Sequence, residues 1–199
     1  MTDHERLSDV QSYSGPHHQH LQGLIRCDSL RWHLLDMVRA LELADCWIGA
    51  GFVRNAVWDH LHGRAPSAPQ GDVDVLWFDA QRSDAAEDQR LEALLRTRAP
   101  GIEWSVKNQA RMHLHNGDAP YASTAHAMAH WPETATAVAV RRTASGACEV
   151  LAPLGLGDLF NQVLRPTRSF VTDKRVVYEA RLCGKGWLQR WPGLRCLDR

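Results

Sequence analysis

The sequence predicts a mixed α/β domain of the α+β class, and three observations predict it. Apolar residues recur at helical spacing in several segments, first at Cys27, Leu30, Leu34, Met37, Val38 and Leu41. Short strand-like segments around 46–50, 72–78 and 102–107 are interleaved with these helices. Neither an internal repeat nor a second set of core residues is present, so the 199 residues make one compact unit. The expected organisation is a flexible arm over 1–18, then a single domain over 19–199 with helical elements at both ends.

The elements follow in chain order. The first apolar period gives a helix over about 20–44, or two helices joined near Asp28-Ser29. Cys46 to Gly51 reads as a short buried strand running into a glycine turn. A helix follows at once, with Val53, Val57, Trp58 and Leu61 on one side and a stop at Gly63. Arg64 to Gly71, with two prolines and a serine, is a loop. Asp72 to Phe78 is a strand that puts Val73, Val75 and Trp77 on one face. Asp84-Ala-Ala-Glu87 resembles a capping box opening a helix through Leu91, Leu94 and Leu95, closed by Pro100-Gly101.

Ile102, Trp104 and Val106 then alternate with Glu103, Ser105 and Lys107, as in a half-buried strand. A short helix is expected from Ser123 to Trp131. A hairpin is expected with Val138 and Val140 on one strand, Cys148 and Val150 on the other, and its turn at Ser145-Gly146. Gly157 to about Leu164 reads as a helix ended by Pro166, and Asp173 to Trp187 as the last long helix, weakened by Gly184 and Gly186.

Composition excludes several classes. Hydrophobic content is 44%, and no run approaches the roughly 18–20 apolar residues of a membrane helix. The N-terminus is polar and His-rich rather than signal-like, so a cytoplasmic location without a membrane partner is expected. Cys27, Cys46, Cys148, Cys183 and Cys196 form an odd, scattered set without a C-x-x-C pair, which reads as reduced, mostly buried thiols. Net charge is zero, yet the chain from Arg165 onward carries nine Lys/Arg against three acids. That basic stretch suits a solvated helix face or contact with phosphates.

The chemistry concentrates in the unit strand, glycine turn, helix, loop and Asp-x-Asp strand. Strand side chains alternate, so Asp72 and Asp74 project from one face, about 7 Å apart, while Val73 and Val75 anchor the other. Two carboxylates so placed repel unless a cation lies between them. Mg²⁺ (or Mn²⁺) is the natural occupant because it takes hard oxygen ligands and shares them with substrate phosphates. Gly51 lets backbone N–H groups approach a phosphate, and the helix starting there adds its positive end. Arg54, in the first helical turn, has a guanidinium suited to bidentate phosphate contact. Metal, amides and arginine would converge on one triphosphate.

The same residues resemble a known signature. Gly49-Ala-Gly-Phe-Val-Arg54, followed by Gly71-Asp-Val-Asp-Val75, resembles the DNA polymerase β nucleotidyltransferase superfamily, in wording particularly the tRNA CCA-adding enzymes. Further segments resemble a bacterial subgroup of nucleotidyltransferase-like proteins: Val53-Arg-Asn-Ala-Val-Trp-Asp59, Asn108-Gln-Ala-Arg-Met-His113, Trp131-Pro-Glu-Thr-Ala135, Ala152-Pro-Leu-Gly-Leu156 with Asp158-Leu159, and Arg165-Pro166. The resemblance spans about residues 20–195.

The resemblance implies a polymerase β-type fold, a central mixed sheet flanked by helices. It also implies metal-dependent transfer of a nucleotidyl group from an NTP to a hydroxyl of an acceptor, which could be a small molecule, RNA or protein. Asp72 and Asp74 match the two metal-binding carboxylates and Gly51 the second glycine of the family pair, with Ala50 in the first glycine's place. Gly49, Ala50, Gly51, Arg54 and Lys107 are the candidate nucleotide contacts. Glu103, on the polar face of the next strand, is the candidate third carboxylate. Asn55 stands where the CCA-adding enzymes carry an aspartate, so tRNA is not supported as the acceptor. The alternative is a catalytically degenerate module that binds a nucleotide or docks a partner.

Other clusters carry less. The His17-His18-Gln-His20 tract falls in a polar arm. His60 and His62 are two apart on a helix, and His113-Leu-His115 lacks zinc-type partners. Lys107, Asn108, Gln109 and Arg111 form a polar cluster that suits either a strand end or the rim of the site. Trp131-Pro-Glu-Thr and Trp191-Pro read as packing corners. Ser123 with His126 lacks a nucleophile elbow.

Overall fold

The computed structural model describes residues 15–197. Two helices open the chain, α1 (Pro16–Cys27) and α2 (Ser29–Arg39). Pro16 starts α1 because its fixed φ suits a first helical position. Asp28 ends it and caps α2, accepting from Arg31 N at 2.9 Å and pairing with the Arg31 guanidinium. Arg31 is itself buried and donates through Nε to the Phe52 carbonyl at 2.9 Å. The flexible arm expected over 1–18 is therefore corrected at its end: helix begins at Pro16, and residues 1–14 lie outside the described residues. His17 stacks on Phe160 with ring centroids 4.5 Å apart, so the histidine tract is docked.

The next elements are β1 (Trp47–Gly49), α3 (Gly51–Leu61), β2 (Val73–Trp77), α4 (Ala85–Arg98) and β3 (Trp104–Asn108). Short helices α5 (Met112–Asn116) and α6 (Thr124–Ala129) follow, then the hairpin β4 (Ala139–Arg142) and β5 (Cys148–Leu151). The chain ends with α7 (Gly157–Phe160), β6 (Val163–Leu164), α8 (Arg168–Val171), α9 (Arg175–Lys185), α10 (Trp187–Arg190) and β7 (Arg195–Cys196).

Five strands form one mixed sheet in the order β3-β2-β1-β4-β5, with β2 and β3 parallel and the other neighbours antiparallel. This is the central mixed sheet flanked by helices that the sequence resemblance implies. Val73, Val75, Trp77 and Val106 face one way into a fully buried core shared with α1–α4. Trp77 Nε1 donates to the buried Asp88 at 2.8 Å, which also accepts from Asn108 N and pairs with Arg111. The opposite face holds a smaller cluster of Trp47, Leu76, Met128 and Ala139. Asp74 and Leu76 alternate with the core residues, so that second face carries the chemistry.

Several boundaries differ from expectation. The segment read as a helix over 157–164 is one turn, because Gln162 takes a φ of 58° and sends the chain into β6. β6 pairs with β7 at the far end of the chain, a contact no local pattern announces. The last long helix stops at Lys185, where Gly186 adopts a left-handed φ of 61°. Asn108 and Gln109 are buried rather than exposed; Asn108 Nδ2 donates to the carbonyls of Asp79 and Arg82 at 2.8 and 2.9 Å. All five cysteines are free as expected, but Cys27, Cys183 and Cys196 are exposed, which corrects the reading of mostly buried thiols. Among the described residues no helix is long and apolar enough to cross a membrane.

Candidate active site

Three small residues turn β1 into α3, each for its own reason. Gly49 sits mid-sheet, opposite Asp74 on β2 and Ala139 on β4. A Cβ there would lie 2.8 Å from Leu76 Cδ1 and 3.2 Å from the Val138 carbonyl oxygen, so only glycine fits without a shift. Ala50 takes φ 51° and ψ −122°, a conformation natural to glycine and strained for alanine. Its N–H donates to the Val138 carbonyl at 3.0 Å, and its carbonyl accepts from Arg54 N at 2.9 Å to start α3. At Gly51 a Cβ would meet Arg54 Nη2 at 3.3 Å, because Arg54 folds beneath the turn.

Backbone strain at Ala50 carries a direct consequence. Ala50→Gly is expected to stabilise the protein by about 1 kcal/mol, the strain relieved exceeding the entropy glycine adds to the unfolded chain. Thermal denaturation at matched pH would show this as a higher Tm, and an unchanged or lower Tm would mean that alanine is relaxed there.

Asp74 is half-buried on β2, with Ser105 beside it in the parallel register and hydrogen-bonded to its carboxylate. Burial first, and the Asp72 charge second, push its pKa from 3.8 up to about 6, against the pull of Arg54, Ser105 and Lys185. A buried carboxylate beside a second acid gains from a bound cation, which is the chemistry a hard divalent ion supplies. Among the described residues no group of three or more His, Cys, Asp or Glu side chains is placed to hold a metal ion. Two acids suffice for Mg²⁺ when substrate phosphates and water complete its shell.

An open cleft of about 830 Å³ lies over this face. Three of the sequence candidates line it: Ala50, Asp74 and Lys107. The basic C-terminal stretch lines it too, through Lys174, Arg181 and Lys185. Four cations against one lining carboxylate favour a polyanionic occupant. The stretch that read equally as a solvated face thus lines the cleft.

The remaining candidates are placed differently. Asp72 is exposed immediately before β2. Glu103 is exposed just before β3, where its carbonyl accepts from Val73 N at 2.7 Å, and it is not part of the cleft lining. Lys107 is half-exposed, with Nζ 3.8 Å from Glu92 on α4.

Arg54 departs most from expectation. Its guanidinium is buried, not presented to the cleft, and bonds Asn55 Oδ1 through Nε and Nη2 at 3.1 and 3.0 Å. It lies 5.4 Å from the Trp58 ring centre and 4.7 Å from that of Trp187. Burial and Arg181 lower its pKa to about 10, while Glu133 and Asp74 hold it up. Its charge acts on Asp74 through space, and two indole rings lie beside it.

Sequence reasoning passed over Glu133, Arg181 and Trp187. Glu133 is wholly buried and bonded by Thr136 Oγ1 at 2.9 Å and Arg181 Nε at 2.8 Å. The available signal was a lone acid in Trp131-Pro-Glu-Thr-Ala-Thr-Ala-Val138, an otherwise uncharged run.

With this sheet, turn and carboxylate in view, comparison with known proteins places the chain. A polymerase β-type nucleotidyltransferase fold is the class that the architecture defines. A family model described as Nucleotidyltransferase matches residues 36–196, and the chain belongs to that family of enzymes. A solved structure described as revealing a CCA-adding enzyme head domain is 34% identical, with a TM-score of 0.82 over 91% of this chain and 96% of that one. A CCA-adding enzyme solved with CTP is 14% identical, with a TM-score of 0.57 over 89% of this chain and 43% of its own. A Thermotoga maritima CCA-adding enzyme complexed with tRNA is 16% identical, with a TM-score of 0.52 over 90% of this chain and 42% of its own. These last two show a shared fold, and the chain spans about two fifths of their length. A search of curated proteins gave no match.

Proposed function

We propose that this nucleotidyltransferase carries out metal-dependent transfer from an NTP to a hydroxyl of an acceptor, with Asp72 and Asp74 as the residues that hold the metal. One observation carries the proposal: Asp74, a largely buried acid with Asp72 nearby, lines a cationic cleft beside the glycine turn. Bound Mg²⁺ (or Mn²⁺) would neutralise the triphosphate and lower the pKa of the attacking hydroxyl.

The chain's own residues do the rest. The Gly49-Ala50-Gly51 turn brings backbone and the positive end of α3 to the cleft edge, where phosphate oxygens are favoured. Lys107 and Lys185, which both line the cleft, hold the triphosphate by charge. Arg54 supports the site through its charge rather than through direct contact. As the acceptor oxygen bonds the α-phosphorus, the bond to the β-phosphate oxygen breaks and pyrophosphate leaves with its electron pair. The hydroxyl proton passes to a site carboxylate or to solvent. Glu103, one position ahead of the Val73–Trp104 pair, is the acid proposed as third carboxylate.

Incubating the protein with Mg²⁺, each α-labelled NTP and separate RNA, protein and small-metabolite fractions tests the reading. Label transfer with pyrophosphate release in one fraction is the expected result. Saturable NTP binding with neither outcome in any fraction would instead leave a binding module.

A further inference from the structure

Glu133 is a charge that the fold has taken fully out of water, and nothing in the proposed chemistry uses it. Such a carboxylate is tolerated only when its oxygens are bonded and a cation is close. Both conditions are met by rigid neighbours. The backbone around it is stitched to the segment 165–167 that follows β6, with Thr134 N donating to the Arg165 carbonyl and Thr167 N to the Pro132 carbonyl, each at 3.0 Å. Thr136 Oγ1 donates to Oε2 at 2.9 Å, which leaves Oε1 for Arg181 Nε at 2.8 Å.

Arg181 is the partner with access to ligand. It lines the cleft on α9, is about a third exposed, and gives Glu133 its Nε. The two terminal nitrogens of the fork carry four further N–H groups that can donate to phosphate oxygens. The Trp187 ring centre is close to two guanidiniums, 5.3 Å from Arg181 and 4.7 Å from Arg54. Those like charges repel, and Glu133 is the acid that attracts both.

We infer that Glu133 is a positioning residue: it fixes the Arg181 guanidinium on the cleft wall as an anchor for the nucleotide's phosphate tail. Without it Arg181 is drawn to no fixed place and swings away from the Arg54 charge. The inference rests on the nucleotidyl-transfer reading and deepens it by adding a phosphate contact that the sequence pattern did not show.

The test is calorimetric titration with a non-hydrolysable NTP and Mg²⁺ on the full chain, for wild type, Glu133→Gln, Arg181→Ala and the double variant. Each single variant is expected to weaken binding about tenfold, and the double variant no more than either single one, because both remove one anchored guanidinium. In the transfer assay KM for the NTP should rise while kcat stays within about threefold, a split that general unfolding would not give. Should Glu133→Gln fail to fold, Glu133→Asp should retain the fold and lose affinity to a lesser degree. Wild-type binding that Glu133→Gln or Glu133→Asp leaves unchanged, or losses that multiply in the double variant, would overturn this inference alone. A wild type that binds no nucleotide would overturn the nucleotidyl-transfer reading and this inference with it.

Discussion

Asp74→Asn is expected to lose transfer by about 10³-fold or more and, in metal-free protein, to be more stable than wild type at neutral pH. The loss follows from removing one of two carboxylates that would hold the metal, whose charge stabilisation is worth several kcal/mol in the transition state. The gain in stability follows from the raised pKa. Asp74 holds its proton up to about pH 6 in the folded protein, against 3.8 when unfolded. Between those values the folded state binds more protons than the unfolded one, so wild-type stability falls as pH rises from about 4 to about 6 and stays lowered above.

Asparagine removes that penalty. The variant should therefore match wild type near pH 4 and exceed it by about 3 kcal/mol well above pH 6. Denaturant unfolding at pH 4 and pH 7.5, with chelator present, checks the sign. A variant less stable than wild type at both pH values would show that Asp74 is a structural acid with its charge already satisfied.

Gly49→Val is expected to be the most damaging small substitution in the sheet. Even a single Cβ there would stand 2.8 Å from Leu76 Cδ1 and 3.2 Å from the Val138 oxygen, and valine adds two methyl groups to that clash. Leu76 is buried in the second apolar cluster, and the Val138 oxygen accepts the Ala50 N–H, so neither can yield cheaply. A loss of about 3 kcal/mol is expected from the overpacking. Because Gly49 faces Asp74 across the ladder, the strands at the site would spread as well. Chemical denaturation gives the stability, and a Gly49→Val protein as stable as wild type would contradict the close approach described.

What the sequence made legible was local. Alternation in Val73-Asp74-Val75 told which way Asp74 faces, since a strand has a period of two, and the glycine turn followed from residues that tolerate unusual backbone. Ala50 stood out because the resembled family carries glycine there, and the structure gives it a φ of 51°, a conformation that prefers glycine. What was not legible depended on distant partners. Arg54 reads as a phosphate ligand from its place in the first helical turn, yet Trp187 from the end of the chain packs against its guanidinium. Glu133 looked like a packing corner because its cation, Arg181, comes from a helix far along the sequence. The histidine tract looked like a loose arm because its docking surface, Phe160, is equally remote.

The central claim is that acids on one strand end are completed by a divalent cation and a triphosphate. Equilibrium titration of a non-hydrolysable NTP into wild type and Asp74→Asn at pH 7.5, with and without Mg²⁺, tests it most directly. Saturable binding that requires Mg²⁺ in wild type and vanishes in Asp74→Asn is the predicted result. Equal affinity in the two proteins, or affinity indifferent to Mg²⁺, would contradict it.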